Sequence, residues 1–195
     1  LKKNPNYDYE IIEDSSEKNL INVLPNFDAC TLRVSRLNEK ILSKCKTLKV
    51  ISRHGVGYDN VDLNYIKKNN IQLLITAKAN ALAVAEHVIY MMLSISKGMN
   101  KYDQEVRNGN FKKNASSITT LELFNKEILI VGFGRIGKNL IKRCKGFEMK
   151  VKIYDPFVNK ETIEKYGGIR IENLDEELKN CDYLSLHVPL TPETK

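Results

Sequence analysis

The stretch ILIVGFGRIG at residues 128–137 decides the fold of this chain, together with Asp155, eighteen residues after its last glycine. Residues 128–131 form a continuous apolar run, which is typical of a buried parallel strand, and residues 138–143 favour a helix. A second apolar run at residues 151–154 ends at Asp155. Strand, glycine turn, helix, strand and acid follow in the order that a dinucleotide site requires, so the sequence predicts a dinucleotide-binding unit here.

Each glycine of this motif has a separate predicted role. Gly132 permits the tight turn after the strand, Gly134 lets the backbone approach a pyrophosphate, and Gly137 lets the helix pack closely on the strand. The unpaired N–H groups and the dipole at the start of the helix then favour an anionic diphosphate. A glycine-rich structural turn is the alternative, but it does not explain Asp155.

Asp155 indicates which dinucleotide the unit prefers. A carboxylate at the end of the second strand accepts hydrogen bonds from the ribose hydroxyls and repels a 2′-phosphate. No arginine follows within the next few residues to hold such a phosphate. The sequence therefore predicts NAD rather than NADP, and a simple strand-end cap is the alternative reading of Asp155.

The composition restricts the remaining function classes. The chain has 195 residues, 42% of them hydrophobic and 28% charged, with a net charge of +7, which favours a globular protein with a bias toward anionic ligands. No apolar run approaches the length of a membrane span, and no basic stripe suggests nucleic acid. The four cysteines lack metal-type spacing, so we expect buried thiols, no metal, and a reducing, cytoplasmic location.

Apolar runs and helical patterns alternate along the whole chain, which predicts parallel sheets covered by helices, an α/β fold. The predicted strands are residues 9–12, 27–32, 48–52, 71–75, 128–131, 151–154 and 183–187. The predicted helices are residues 39–45, 63–68, 82–97, 161–166 and 174–180. Residues 99–127 are polar and are expected to be an irregular connection.

Only the first half of a six-stranded dinucleotide fold can be counted, and no strong apolar strand precedes Tyr9. We therefore expect both ends of the chain to be cut. The same count leads us to expect an exposed sheet edge at the strand that begins at Ile128.

A second constellation, RHGVGYDN at residues 53–60, follows a predicted strand of the first sheet. Ligands gather beyond the carboxyl ends of parallel strands. Gly55 and Gly57 allow backbone N–H groups to form an anion nest, and Arg53 adds a planar fork for a carboxylate or phosphate. An ordinary turn is the alternative.

The three histidines are weaker candidates. Hydride transfer from an alcohol needs a base near the hydroxyl, and His187 ends a predicted strand. No carboxylate is an evident partner for it, so a structural role in the following loop is the favoured reading. His87 is expected to be structural, and His54 borders the presumed substrate loop.

Five motifs in order resemble the D-isomer-specific 2-hydroxyacid dehydrogenase family: residues 48–62, 80–87, 131–137, 154–156 and 187–191. The resemblance implies a flavodoxin-like substrate domain over residues 1–80 and an incomplete Rossmann NAD-binding domain over residues 81–195. It also implies that the long helix belongs to a homodimer interface.

The resemblance assigns roles to individual residues. The backbone N–H groups of Val56 and Gly57 would bind the substrate carboxylate, and Arg53 resembles the anion-holding arginine of the phosphoglycerate dehydrogenase branch. Besides the three glycines, the positions that match NAD contacts are Thr76, Arg135, Ile136, Asp155 and Val188. The TAKA segment at residues 76–79 departs from the usual Thr-Pro turn of the family.

The family's catalytic Arg, Glu and His lie downstream of the segment that matches residues 187–191, so no catalytic residue is expected in this chain. The function implied is NAD-dependent oxidation of a small anionic 2-hydroxy acid, with 3-phosphoglycerate in serine biosynthesis as the best match. A glyoxylate or hydroxypyruvate reductase of the same family and an NAD-sensing regulatory module remain alternatives.

Overall fold

A computed structural model describes residues 6–77, 79–110 and 119–195 of the chain. It divides the chain into two compact units, Leu1–Ala77 and Lys78–Lys195. No helix within the described ranges is long and apolar enough to cross a membrane.

The first unit is built on a three-stranded parallel sheet. Its strands β1 (Ala29–Leu32), β2 (Val50–Arg53) and β3 (Gln72–Ile75) lie in the order β1-β2-β3, so β2 is central. Three short helices accompany them: α1 (Glu17–Val23), α2 (Glu39–Leu42) and α3 (Leu63–Lys68). Each is preceded by an N-cap residue whose side chain accepts a hydrogen bond from a backbone N–H of the first turn. These caps are Ser16, Asn38 and Asp62.

The second unit begins with two helices, α4 (Ala81–Ser96) and α5 (Met99–Arg107). Alternating strands and helices then follow: β4 (Glu127–Val131), α6 (Arg135–Gly146), β5 (Lys150–Tyr154), α7 (Lys160–Lys165), β6 (Ile169–Arg170), α8 (Leu174–Leu178) and β7 (Tyr183–Leu186). Helix α4 packs on α6, and the buried Ala85, Val88 and Met92 join Leu140 and Ile141 in one apolar core.

The order of strands in the second sheet is β6-β5-β4-β7, all parallel. Strands β4, β5 and β6 are added in one direction across the sheet, and the chain then crosses back to place β7 on the other side of β4. The order of strand addition therefore reverses between β4 and β7, although all four strands are parallel. Such a switch point is where open α/β sheets bind ligands, in the crevice beyond the carboxyl ends of the strands. The carboxyl ends that border this crevice lead into Gly132 and His187.

The expected exposed edge at Ile128 is wrong. Strand β4 pairs with β5 on one side and β7 on the other, and Ile128 is fully buried. The edge strands are β6 and β7, and Leu186 of β7 is 63% exposed. Local sequence patterns cannot show the crossover that places β7 beside β4, because this pairing joins residues far apart in the chain.

Both sheets are parallel and accompanied by helices, so the predicted α/β class is confirmed. Two local predictions are wrong: residues 9–12 form no strand, and residues 99–107 form α5 rather than irregular chain. Helix α1 and the two-residue strand β6 had no prediction. Residues 111–118 of the expected connection lie outside the described residues.

Candidate functional site

The glycine loop joins β4 to α6 in the second unit. Gly132 has φ +95°, and a β carbon there would lie 2.6 Å from the carbonyl oxygen of His187. A β carbon on Gly137 would lie 2.6 Å from the carbonyl oxygen of Gly132. The loop therefore packs against the end of β7 and against its own helix too closely for any side chain at these two positions.

Gly134 differs from these two because a β carbon there would meet no heavy atom within 4 Å. Gly134 is also the N-cap of α6, and the cap makes no side-chain hydrogen bond. The first turn of α6 carries no acidic residue. By contrast, the N-cap of α7, Asn159, accepts the N–H of Thr162 through its side chain. The open backbone and the positive end of the α6 dipole suit the diphosphate of a dinucleotide.

Asp155 follows β5 and faces the same loop. Its Oδ2 accepts the backbone N–H of Phe133 at 2.7 Å, and its Oδ1 accepts the backbone N–H of Phe157 at 2.9 Å. Phe133 itself is buried and packs edge-on against Tyr166. The carboxylate is thus fixed beside the glycine loop, where a ribose that follows the diphosphate would need an acceptor.

The residues after β7 close the other side of the crevice. The backbone N–H of His187 donates to Val131 O at 2.7 Å, and its ring Nε2 lies 2.9 Å from Ser185 Oγ. Burial lowers the pKa of His187 below its ordinary value of 6.5. The partner of the His187 ring is thus the Ser185 hydroxyl and not a carboxylate, which agrees with a structural role for this histidine. Val188 follows and is partly exposed.

The structure brings most of the predicted cofactor residues together around this loop. Arg135 and Ile136 form the first turn of α6, next to Gly134 and Asp155. Thr76 is separate, because it belongs to the first unit.

In the first unit, the loop after β2 is tied to the end of β3. The backbone N–H of Gly55 donates to Thr76 Oγ1 at 2.8 Å, and the backbone N–H of Thr76 donates to Gly55 O at 3.1 Å. Strands β2 and β3 are in parallel register up to the pair Arg53 and Ile75. The loop that carries Val56 and Gly57 therefore starts from a fixed point, and both residues are exposed.

Arg53 folds back over this loop. Its Nη1 donates to the carbonyl oxygen of His54 at 3.2 Å, and a β carbon on Gly55 would lie 1.3 Å from the same nitrogen. Arg53 Nε is buried and has no hydrogen-bond partner within the described ranges. A buried guanidinium N–H without an acceptor is costly, and an anion on this loop would satisfy it.

Sequence reasoning missed Arg33. Leu32 at the end of β1 pairs in register with Arg53, so the exposed Arg33 follows at the carboxyl edge of the same sheet. The signal was present, because Arg33 directly follows a predicted strand. The histidines are less informative: His54 is exposed, and His87 is exposed and stacks on Tyr90.

Comparison with protein families decides what this arrangement is. Residues 89–195 match the NAD-binding domain of the D-isomer specific 2-hydroxyacid dehydrogenases. The chain belongs to this family. The predicted resemblance, the α/β fold with a Rossmann-like NAD-binding domain and the NAD cofactor are thereby confirmed, and the glycine loop, Asp155 and Val188 all lie within the matched region.

Curated relatives of this chain carry more than one name. It is 33% identical over its whole length to D-3-phosphoglycerate dehydrogenase of Archaeoglobus fulgidus, of which it covers 36%. It is 32% identical, over 95% of its length, to hydroxypyruvate reductase of Thermotoga maritima, of which it covers 60%. The chain thus spans about a third of the length of the first relative.

Solved structures agree with this fold. D-lactate dehydrogenase of Aquifex aeolicus, in complex with NAD and lactic acid, superposes with a TM-score of 0.80 at 35% identity, covering 89% of this chain and 51% of that one. NAD⁺-bound 3-phosphoglycerate dehydrogenase of Entamoeba histolytica gives 0.73 at 29% identity, covering 96% and 53%.

The remaining titratable groups suggest no further chemistry of their own. The four cysteines, Cys30, Cys45, Cys144 and Cys181, are free thiols. Burial raises the pKa of Cys30 to about 11 and that of Cys144 to about 12, so both remain protonated and poorly nucleophilic at neutral pH. Within the described ranges, no group of three or more His, Cys, Asp or Glu side chains could hold a metal ion.

Proposed function

We propose that the full-length protein carrying this chain is an NAD-dependent dehydrogenase that oxidises the CH–OH group of 3-phosphoglycerate, as in serine biosynthesis. The observation that carries the proposal is the pair of arginines at neighbouring strand ends, Arg53 and Arg33. When bound, NAD accepts the hydride of the alcohol carbon. The residues of this chain bind and orient the reactants, and the resemblance assigns the proton to a histidine downstream.

The first unit offers separate groups for the two anionic ends of this substrate. The exposed N–H groups of Val56 and Gly57 suit the carboxylate. Arg53, whose buried Nε lacks a partner within the described ranges, suits the phosphate. Arg33 directly follows Leu32, the in-register partner of Arg53, so a second arginine lies at the carboxyl end of the neighbouring strand. A substrate with two anionic groups accounts for two arginines at this end of the sheet better than an acid with a single carboxylate does.

The second unit holds the cofactor in this proposal. Gly132, Gly134 and Gly137 shape the loop, and the first turn of α6 with Arg135 and Ile136 receives the diphosphate. Asp155 receives the adenosine ribose, and Val188 borders the nicotinamide side. We expect NAD to bind more tightly than NADP, because a 2′-phosphate would face the Asp155 carboxylate. Equal affinity for the two cofactors would contradict this role.

A hydroxypyruvate or glyoxylate reductase is the second candidate, favoured by the relative from Thermotoga maritima. Its substrate carries one carboxylate and no phosphate. The two candidates therefore differ in what Arg53 and Arg33 contribute, and a substrate comparison separates them.

The protein is also proposed to form a homodimer through α4. One side of this helix packs on the core, while Tyr90, Met91 and Ile95 are exposed, Ile95 to 75%. Adjacent exposed apolar side chains of this size are typical of an interaction surface.

Arg53 variants test the proposed substrate. In the full-length protein, we expect Arg53→Ala to raise KM for 3-phosphoglycerate by roughly 10- to 100-fold, the effect of one charged hydrogen bond. KM for NAD should not change. Arg53→Lys should restore part of the loss, because an ammonium lacks the planar fork.

The matched control is Lys49→Ala, which removes an exposed cation next to the amino end of β2, paired there with Asp28 at 3.5 Å. It should leave every KM unchanged. Glycerate, which lacks the phosphate, should be much less sensitive to Arg53→Ala. Equal effects on both acids would favour the reductase, and unchanged kinetics in Arg53→Ala would contradict any role in substrate binding.

The 195-residue chain alone is proposed to be inactive. General acid–base catalysis contributes about 10²–10⁴-fold, and the family's acid–base residues lie downstream. Formation of reduced cofactor at a rate comparable to that of the full-length protein would show that the base lies within this chain, with His187 as the residue to examine.

A further inference from the structure

The Asp155 carboxylate joins two backbone segments that lie on either side of it. Oδ2 accepts the N–H of Phe133, in the middle of the glycine loop, and Oδ1 accepts the N–H of Phe157, two residues further along the chain. Both distances, 2.7 and 2.9 Å, are those of strong charge-assisted hydrogen bonds. Asp155 is therefore already engaged before any ribose is considered.

Engagement by two N–H groups still leaves the carboxylate able to accept more. An ionised carboxyl group offers about four lone-pair positions, of which the backbone uses two. The remaining two match the two hydroxyl groups of a ribose. Holding the loop and receiving the ribose are compatible tasks for one side chain.

The Phe133 N–H is important because the rest of the loop depends on it. The Phe133 side chain is buried, so its N–H has no access to water as a substitute partner. On one side, Gly132 donates its N–H to Tyr154 O at 2.9 Å. On the other side, Gly134 opens α6. If the Phe133 N–H lost its acceptor, the peptide would have to rotate, and the neighbouring N–H groups would change direction.

We propose that Asp155 is a positioning residue of the glycine loop, which aims the N–H groups that bind diphosphate independently of any contact with ribose. The proposal rests on the diphosphate role assigned to the loop above. It predicts that removing the Asp155 carboxylate weakens nucleotides that have no ribose hydroxyls at all.

ADP and 2′,3′-dideoxy-ADP separate the two tasks, with calorimetric titration of the 195-residue chain as the measurement. A carboxylate that only receives ribose predicts that Asp155→Ala weakens ADP and leaves the dideoxy compound unchanged. A positioning carboxylate predicts that the dideoxy compound also weakens, by about tenfold. Equal affinity of the native chain and Asp155→Ala for 2′,3′-dideoxy-ADP would overturn the proposal.

The chain offers a matched control at the amino end of β4, the strand that leads into the glycine loop. Asp182 Oδ2 accepts the backbone N–H of Glu127 at 2.8 Å, where β4 begins. Asp182→Ala removes the same kind of bond far from the glycine loop, so it should leave both nucleotide affinities unchanged. Asp155→Asn is the second variant. It replaces one carboxylate oxygen with an NH₂ group, which is a donor and cannot accept a backbone N–H, so one of the two hydrogen bonds is lost.

Amide hydrogen exchange of the ligand-free chain tests the proposal without any nucleotide. In the native chain, the Phe133 amide should be protected at least tenfold over an unstructured loop amide. Asp155→Ala removes both acceptors and should remove that protection, while Ile130, within β4, keeps its own. A freely exchanging Phe133 amide in the native chain would overturn the positioning role. Failure of the native chain to bind ADP, with Phe133 protected, would instead count against the diphosphate role of the loop.

Discussion

Thr76 and Gly55 exchange two hydrogen bonds, one through the Thr76 hydroxyl and one through its backbone N–H. This pair joins the end of β3 to the loop after β2, where the substrate anion is proposed to bind. The Gly55 N–H also lies 3.0 Å from Arg53 O, so two acceptors share it. Thr76 thus acts on the shape of a loop that is distant from it in sequence.

Thr76→Val should loosen this loop, because valine has the same shape and no hydroxyl. We expect a loss of about 0.5–1.5 kcal/mol in the free energy of unfolding and faster exchange of the Gly55 amide. Thr76→Ser should keep both values near native. Urea denaturation and amide exchange measure the two effects, and a Gly55 amide as protected in the valine variant as in the native chain would contradict the expectation.

Gly132→Ala should separate the ends of β4 and β7, because its β carbon would stand 2.6 Å from His187 O at a φ that favours glycine. We expect a loss of roughly 2–4 kcal/mol, from overpacking and backbone strain together, and loss of nucleotide binding. Gly146→Ala, in open space at the end of α6, is the control and should be neutral or slightly stabilising. Gly132→Ala should therefore lower the midpoint of thermal unfolding, whereas Gly146→Ala should leave it unchanged or raise it slightly. Equal shifts in the two variants would count against crowding at Gly132.

His187 predicts a dependence of stability on pH. Burial lowers its pKa in the folded chain, so below the ordinary value of 6.5 the unfolded chain binds the proton more readily. The native chain should lose stability as the pH falls through and below 6.5. In His187→Asn this contribution is absent, so its stability deficit relative to native should shrink between pH 7.5 and pH 5. Denaturant titrations across that range measure the difference, and a deficit that stays constant from pH 7.5 to pH 5 would contradict the expectation.

Ile95→Glu tests the proposed dimer surface. A carboxylate in an apolar interface is costly to bury, so the variant should be monomeric where the native protein is dimeric. Ile11→Glu is the control, since Ile11 is 71% exposed in the first unit and Ile95 is 75% exposed. Sedimentation of the full-length proteins distinguishes the two. A dimer that tolerates Ile95→Glu would place the interface elsewhere.

Glu148→Gly should stabilise the second unit. Glu148 has φ +55° between α6 and β5, a conformation that disfavours residues with a β carbon. Its N–H donates to Lys145 O at 3.0 Å and its carbonyl accepts from Asn125 at 3.3 Å, and glycine retains both bonds. We expect a gain of about 0.5–1 kcal/mol, reduced by the added freedom of the unfolded chain. Lys150→Gly, within β5, should destabilise instead.

The sequence predicted the elements whose signal is local. The apolar run before Gly132 became β4, and the predicted helix at residues 63–68 became α3, because burial on both faces and helical spacing leave marks within a few residues. The predicted strand at residues 9–12 had the same apolar character. It formed no strand because a strand exists only if another lies beside it, and its own composition does not supply that partner.

Other features left no mark in the sequence pattern. Helix α5 buries none of its residues, and only Met99, Tyr102 and Val106 follow the helical spacing, so its pattern is too short to stand out from the polar chain around it. The bond from Phe133 to Asp155 joins a backbone N–H to a side chain across two strands, and every residue type has that N–H. The motif identified both residues as part of one site but could not show that they contact each other.

The position of β7 has a consequence for synthesis on the ribosome. The glycine loop, α6 and Asp155 all precede β7 in the chain, and only when Tyr183–Leu186 has emerged and paired with β4 does the His187 carbonyl reach Gly132. A nascent chain therefore displays the complete nucleotide motif long before it has a crevice. Cofactor capture should mark the moment at which this strand docks, which makes nucleotide affinity a reporter of cotranslational folding.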